Sequence, residues 1–132
     1  MMKVFLGGTV NQSKWRDYVI PKLKIQYFNP VVANWDEAAY QRELYEREHC
    51  DFCAYVITPK MTGVYSIAEV VDDSNKRPEK TLLCILKREG QDAFDPAQIN
   101  SLERVGQMVE NNGGRWFRSL DEMIDFLNLV GS

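Results

Sequence analysis

Apolar residues along this chain arrive in short blocks, separated by longer polar stretches in which apolar positions recur every three or four residues. The blocks read as strands and the stretches between them as helices. KVFLGG (3–8) ends in two glycines; after a loop with Ser13 as candidate cap comes the helical pattern KWRDYVIPKLK (14–24). IQYFNPVV (25–32) reads as a second strand stopped by Asn29-Pro30, and NWDEAAYQRELYEREH (34–49) as a polar helix capped by Asn34 or Asp36. DFCAYVIT (51–58) is apolar nearly throughout and rich in β-formers, as a strand covered on both faces should be, so it belongs at the centre of a sheet. The turn PKMTG (59–63) leads to the helix VYSIAEVVDDSNKR (64–77), with Ile67, Val70 and Val71 on its inner face, and then to the strand KTLLCILK (80–87). Asp95-Pro96-Ala97-Gln98 combines a cap, a first-position proline and a capping-box glutamine, and opens a helix that ends at Gly113-Gly114. RWF (115–117) is a short strand, and Ser119-Leu120-Asp121-Glu122 starts the last helix by the same device.

About five strands thus alternate with five helices through short connections, the pattern of a parallel sheet with right-handed crossovers. The expected fold is α/β: a single doubly wound domain over residues 1–132, with a mostly parallel five-stranded sheet flanked by helices. At 132 residues the chain can bury one sizeable core and is too short for a second. Sixteen Lys and Arg against 19 Asp and Glu leave a net charge of −3, which offers no basic field for a nucleic acid polymer. The apolar runs fall far short of a membrane span and no signal-like segment opens the chain, so a cytoplasmic location is expected. Cys50, Cys53 and Cys84 sit in or beside strand-like runs and His49 has no second ligand cluster, so they read as small buried hydrophobes, with no metal and no cofactor implied.

In an open parallel sheet, ligands bind beyond the carboxyl ends of the strands, near the point where strand order reverses. This directs attention to the loops after the first three strands, 7–12, 29–36 and 58–66. Gly7-Gly8-Thr9 closes the first strand with two residues that carry no Cβ, letting backbone N–H groups approach a phosphate or sugar, and equally suits a plain turn. Asn29, Trp35 and Asp36 put an amide, a flat ring and an acid close together; the ring could stack on a base or simply anchor the helix. Ser66-x-x-Glu69 forms a capping-box pattern, and on a helical wheel Glu69 falls with Asp72 and Asp73 opposite the apolar face. Against that solvated reading, a side chain in the first turn of a helix after a central strand leans toward the ligand crevice.

KVFLGGT at the start, CDFCAYVIT in the middle, then a Pro/Gly turn and Ser66-x-x-Glu69-x-Val71 opening a helix resemble the nucleoside 2-deoxyribosyltransferase family and its relatives that hydrolyse deoxynucleoside monophosphates. Laying the family's strand-leading aspartate on Asp51 brings its nucleophilic glutamate onto Glu69 without a gap, and its second catalytic acid onto Glu43. A helix rising ~1.5 Å per residue lifts Glu43 about 12 Å from Asp51 toward the ligand end of the sheet, so Asp51 is read as structural and Asp36 as the reserve acid. Val71 stands where the family has glycine, Glu43 is longer than the usual aspartate, and the turn lacks an acid often found there.

The resemblance implies transfer of 2-deoxyribose between nucleobases through a covalent deoxyribosyl-glutamate, with Glu69 ionised near the helix N-terminus and Glu43 or Asp36 carrying the proton for the base. Gly7, Gly8, Thr9, Asn29, Trp35, Asp36, Gly63 and Ser66 are the implied substrate-binding residues. Two alternatives accompany this reading: hydrolysis of deoxynucleoside 5′-monophosphates, with Gly7, Gly8, Thr9, Gly63 and Ser66 cradling the phosphate, and a non-catalytic nucleotide-binding module. The implied partners are a deoxynucleoside or deoxynucleotide, a free base, and further copies of the chain in a homo-oligomer.

Overall fold

The computed structural model describes residues 1–10 and 12–132; Asn11, in the first candidate loop, lies outside the described residues. Five strands form one wholly parallel sheet: β1 (Lys3–Gly8), β2 (Gln26–Phe28), β3 (Phe52–Ile57), β4 (Thr81–Ile85) and β7 (Arg115–Phe117), in the order β2-β1-β3-β4-β7. The helices are α1 (Trp15–Val19), α2 (Glu37–His49), α3 (Tyr65–Lys76), α4 (Pro96–Asn111) and α5 (Leu120–Val130). This is the expected doubly wound α/β arrangement. The chain runs outward from β1 to β2 on one side and from β3 to β7 on the other, so strand order reverses between β1 and β3. There Leu6 faces Ala54 in register and Gly8 faces Val56.

Every residue of β3 is buried, as its unbroken apolar run anticipates for a strand covered twice over. On one face of the sheet Val4, Leu6 and Val56 pack with Trp15 and Val19 of α1 and Met123, Ile124 and Leu127 of α5. On the other, Phe5, Tyr55, Ile57 and Leu83 pack with Val70 of α3 and Leu102 and Val109 of α4. The three cysteines are free and buried, and burial pushes their thiols up. None of the described helices is long and apolar enough to cross a membrane.

Local signals hold where they act within a few residues. Asp95 and Gln98 form a complete capping box, Asp36 is the cap of α2 through Ala39 N, and Ser119 accepts from Glu122 N at the start of α5. Elsewhere the expectations need correcting. Pro21, which cannot continue a helical hydrogen-bond ladder, ends α1 and leaves a single 3-10 turn (Ile20–Lys22). Lys14 is the cap of α1, while the Ser13 hydroxyl donates to Glu89 Oε1 at 2.7 Å. The second strand does stop before Asn29-Pro30, at Phe28. Helix α3 starts two residues before a Ser66 cap would allow, with Val64 at its cap and no side-chain cap bond, so the Ser66/Glu69 box does not form. A two-rung antiparallel hairpin, β5 (Arg88–Glu89) with β6 (Asp92–Ala93), was not anticipated, because two residues per strand carry no readable alternation.

Candidate active site

A cavity of about 380 Å³ opens at the carboxyl ends of β1 and β3, where strand order reverses. Three chain segments meet there: Gly7, Gly8 and Thr9 from the end of β1, Trp35 and Glu43 from α2 and the loop before it, and Gly63, Ser66 and Glu69 from the turn into α3. Asn29 and Asp36 do not line it. Asn29 is exposed, with its side-chain oxygen accepting from Val31 N at 3.2 Å, and Asp36 spends its carboxylate on the α2 cap.

The glycines are demanded by the sheet itself. A Cβ on Gly7 would stand 2.7 Å from the Tyr55 ring; Gly8 has φ +113°, and a Cβ there would stand 2.2 Å from Val56 O. Thr9 is buried and pinned both ways, its N–H donating to Val56 O at 2.9 Å and its hydroxyl accepting from Thr58 N at 3.0 Å. Arg16 locks this turn from beneath α1. Its Nε and Nη2 donate to Leu6 O at 3.1 and 2.9 Å and its Nη1 to Thr9 O at 2.7 Å. Among the described residues no carboxylate lies within 4 Å of this buried cation, and burial lowers its pKa to about 10 while the field of Glu43 pulls it back up. Ser13 Oγ and Lys14 N both donate to Glu89, tying the β5–β6 hairpin to the same loop.

Trp35 is 59% exposed, with its ring edge-on to Tyr40. Its Nε1 donates to Glu43 Oε2 at 2.6 Å, so ring and carboxylate are fixed as a pair on one side of the cavity. Glu69 is the reverse case, only 8% exposed. It accepts no hydrogen bond from the described residues, and its nearest cation is Arg47, with Nη1 3.5 Å from Oε2. A nearby helix N-terminus is expected to favour the charged form of Glu69, and burial opposes it. Burial pushes its pKa up to about 7, Arg47 pulls it down, and Glu43 and Asp73 push it further up. The reading of Glu69, Asp72 and Asp73 as a solvated face is corrected: α2 covers it, leaving Glu69 and Asp73 buried.

Two arginines therefore belong to the site that the residue pattern did not single out. Arg16 looks like a solvated helix charge beside Trp15, and Arg47 is one of many charges in YEREH (45–49). The one available signal was the spacing of Glu69, Asp72 and Asp73 at i, i+3 and i+4, which gathers three acids on one face and calls for a cation opposite. Tyr65 also lines the cavity, half exposed, at the first turn of α3. Among the described residues no group of three His, Cys, Asp or Glu side chains is disposed to hold a metal ion.

The cavity thus presents two carboxyls in unlike settings, one buried and short of hydrogen bonds, the other held by an indole N–H. A family model described as nucleoside 2-deoxyribosyltransferase like matches residues 1–88. The chain belongs to this family. No curated protein matches the chain. All the cavity residues named above fall inside the matched span, which runs through β4 to the first strand of the hairpin; α4, β7 and α5 lie beyond it and complete the sheet and its cover. Val71, two places after Glu69, is partly buried against the core on the α3–α4 side of the sheet.

Proposed function

We propose that this nucleoside 2-deoxyribosyltransferase-like protein moves 2-deoxyribose between nucleobases through an ester on Glu69. The observation that carries this reading is the Glu69 carboxylate: buried on the cavity wall, unbonded among the described residues, and sharing the cavity with a second carboxyl. In the first step a Glu69 oxygen bonds to C1′ while the C1′–N pair leaves with the base, whose nitrogen takes a proton from Glu43. In the second, the nitrogen of an incoming base bonds to C1′, the C1′–O pair returns to Glu69, and Glu43 recovers a proton. Two displacements at one carbon retain configuration. Trp35, fixed to Glu43 and open to solvent above it, is the surface against which a base stacks.

The test is exchange: a deoxynucleoside mixed with a different free base should give the new nucleoside, with a deoxyribosyl adduct on Glu69 in the intact mass. A Glu69→Ala protein that exchanges bases as fast as wild type would end the proposal. Hydrolysis of deoxynucleoside 5′-monophosphates is the second reading, favoured by one observation, the buried Arg16 with no carboxylate beside it at the Gly7-Gly8-Thr9 turn. Comparing nucleoside with monophosphate, each with and without acceptor base, separates the two. A homo-oligomer is part of the same reading: Val10, Val31, Val32 and Tyr65 line the cavity, each between 44% and 54% exposed, an apolar rim that a second copy would cover. Sedimentation at micromolar concentration showing only monomer would remove that element.

A further inference from the structure

Glu69, Asp72 and Asp73 share one face of α3, and α2 lays Arg47 across it. Asp73 takes the larger share of the guanidinium, with Nη2 at 3.0 Å from Oδ1 and Nε at 3.4 Å from Oδ2. Asp73 is wholly buried and also accepts from Arg77 Nη2 at 2.6 Å and from the Tyr55 hydroxyl. Burial pushes the Asp73 carboxyl up, but the hydrogen bonds from Arg47 and Tyr55 outweigh it and hold the group below its usual range. With Asp73 shared among two guanidinium groups and a phenol, and Asp72 Oδ2 3.3 Å from Nη2, Arg47 is anchored through Nε and Nη2. Its Nη1 is left 3.5 Å from Glu69 Oε2, longer than the roughly 2.7–2.9 Å of a strong charge-assisted bond. It is the one cation within 4 Å of Glu69 among the described residues.

We propose that Arg47 is a positioning residue that sets the lifetime of the deoxyribosyl ester, by keeping a buried positive charge beside the oxygen that must leave as a carboxylate. The inference rests on the reading of Glu69 as nucleophile. When Glu69 bonds to C1′ and the C1′–N pair departs with the base, the carboxylate charge is lost and Arg47 faces a neutral ester. When the acceptor's lone pair bonds to C1′, the C1′–O pair returns to Glu69 and the charge reappears beside Arg47. The arginine therefore restrains loading and promotes unloading, so that the ester stays sparse and deoxyribose passes on quickly. The other groups facing Glu69 act against it or are neutral: Glu43 on α2, Asp72 and Asp73 along α3, the Tyr55 phenol from β3, and Tyr65 at the start of α3.

A purely structural Arg47, bolting α2 to α3, is the competing account, and the test separates the two. Wild type, Arg47→Lys, Arg47→Gln and the charge-balanced pair Arg47→Gln/Asp73→Asn are loaded with a mixture of the common 2′-deoxynucleosides. Each is chased with free adenine and acid-quenched for intact mass. Loss of a charge-assisted contact to the leaving oxygen should slow ester decay roughly tenfold in Arg47→Gln. The pH midpoint of loading should also rise above the wild-type value, and Arg47→Lys should recover part of both effects. The charge-balanced pair should regain thermal stability and still decay slowly. Wild-type decay and an unchanged loading midpoint in a folded pair variant would overturn the proposal and leave the nucleophile intact. If wild type itself releases no base, the nucleophile reading fails and the proposal goes with it.

Discussion

Replacing Glu69 with glutamine tests the burial of its charge directly. The folded-state pKa of about 7 stands above the usual 4.5, so the folded protein prefers the neutral acid. The sign follows: below about pH 4.5 the group is neutral in both states and its ionisation contributes nothing. As pH rises toward 7 the unfolded chain ionises first, and above about 7 the folded state carries the whole penalty. A shift of this size corresponds to about 3 kcal/mol at 1.36 kcal/mol per pKa unit, and the group is buried enough that solvent screening takes away little of it. Glu69→Gln keeps the shape and removes the charge. It should therefore unfold at a temperature on the order of 10 °C above wild type at pH 8.5, with the difference closing as pH falls toward 4.5. Denaturant melts of both proteins, without ligand, at half-unit steps from pH 4.5 to 8.5 would measure it. A stability difference that stays flat across that range, or a wild type that gains on the variant as pH rises, would refute the burial account. The same titration should appear in catalysis: kcat/KM for base exchange should climb with pH through about 7, because only the carboxylate attacks.

Further expectations follow from the same surroundings. Gly8→Ala forces a Cβ against Val56 O at a φ of +113°, so it should destabilise by about 2 kcal/mol or more and distort the cavity turn; thermal melts read the first, ligand-induced stabilisation the second. Asp95→Ala removes a complete capping box on α4, which does not line the cavity, and should lower stability by about 1 kcal/mol with exchange kinetics unchanged. Trp35→Phe keeps a ring but loses the 2.6 Å bond to Glu43. It should reduce kcat several-fold while stability moves by less than about 0.5 kcal/mol, since the side chain is mostly exposed, and equal losses in both would reject a catalytic role for the pair.

The Asp95 cap and the central strand around Tyr55 were legible, and Asp36 was one of two candidates for the α2 cap, because a cap bonds to an N–H a few residues away and a doubly covered strand announces itself by unbroken apolarity. The loops at the reversal of strand order followed from the alternation of strands and helices, and they do hold the cavity. Glu69 was harder. A helical wheel records which residues share a face, and it correctly grouped Glu69 with Asp72 and Asp73. It cannot record what covers that face, and periodicity alone marks only the apolar side of α3 as buried. Ser66 misled for a related reason: the box pattern was present, but the turn from Gly63 brought Val64 to the cap position and moved Ser66 inside the helix.

The amino-acid order by itself determined the succession of elements, the parallel sheet and the crevice that such a sheet creates, since each depends on periodicity and on contacts between near neighbours. Only the tertiary structure decided the state of the chemistry within it. The pKa of Glu69, the grip of Asp73 on Arg47 and the bracing of the first turn by Arg16 arise from desolvation and from charges brought together across three separate elements. Those effects depend on distance through space and not on separation along the chain, so they come into being only when α1, α2 and α3 close on the ends of β1 and β3.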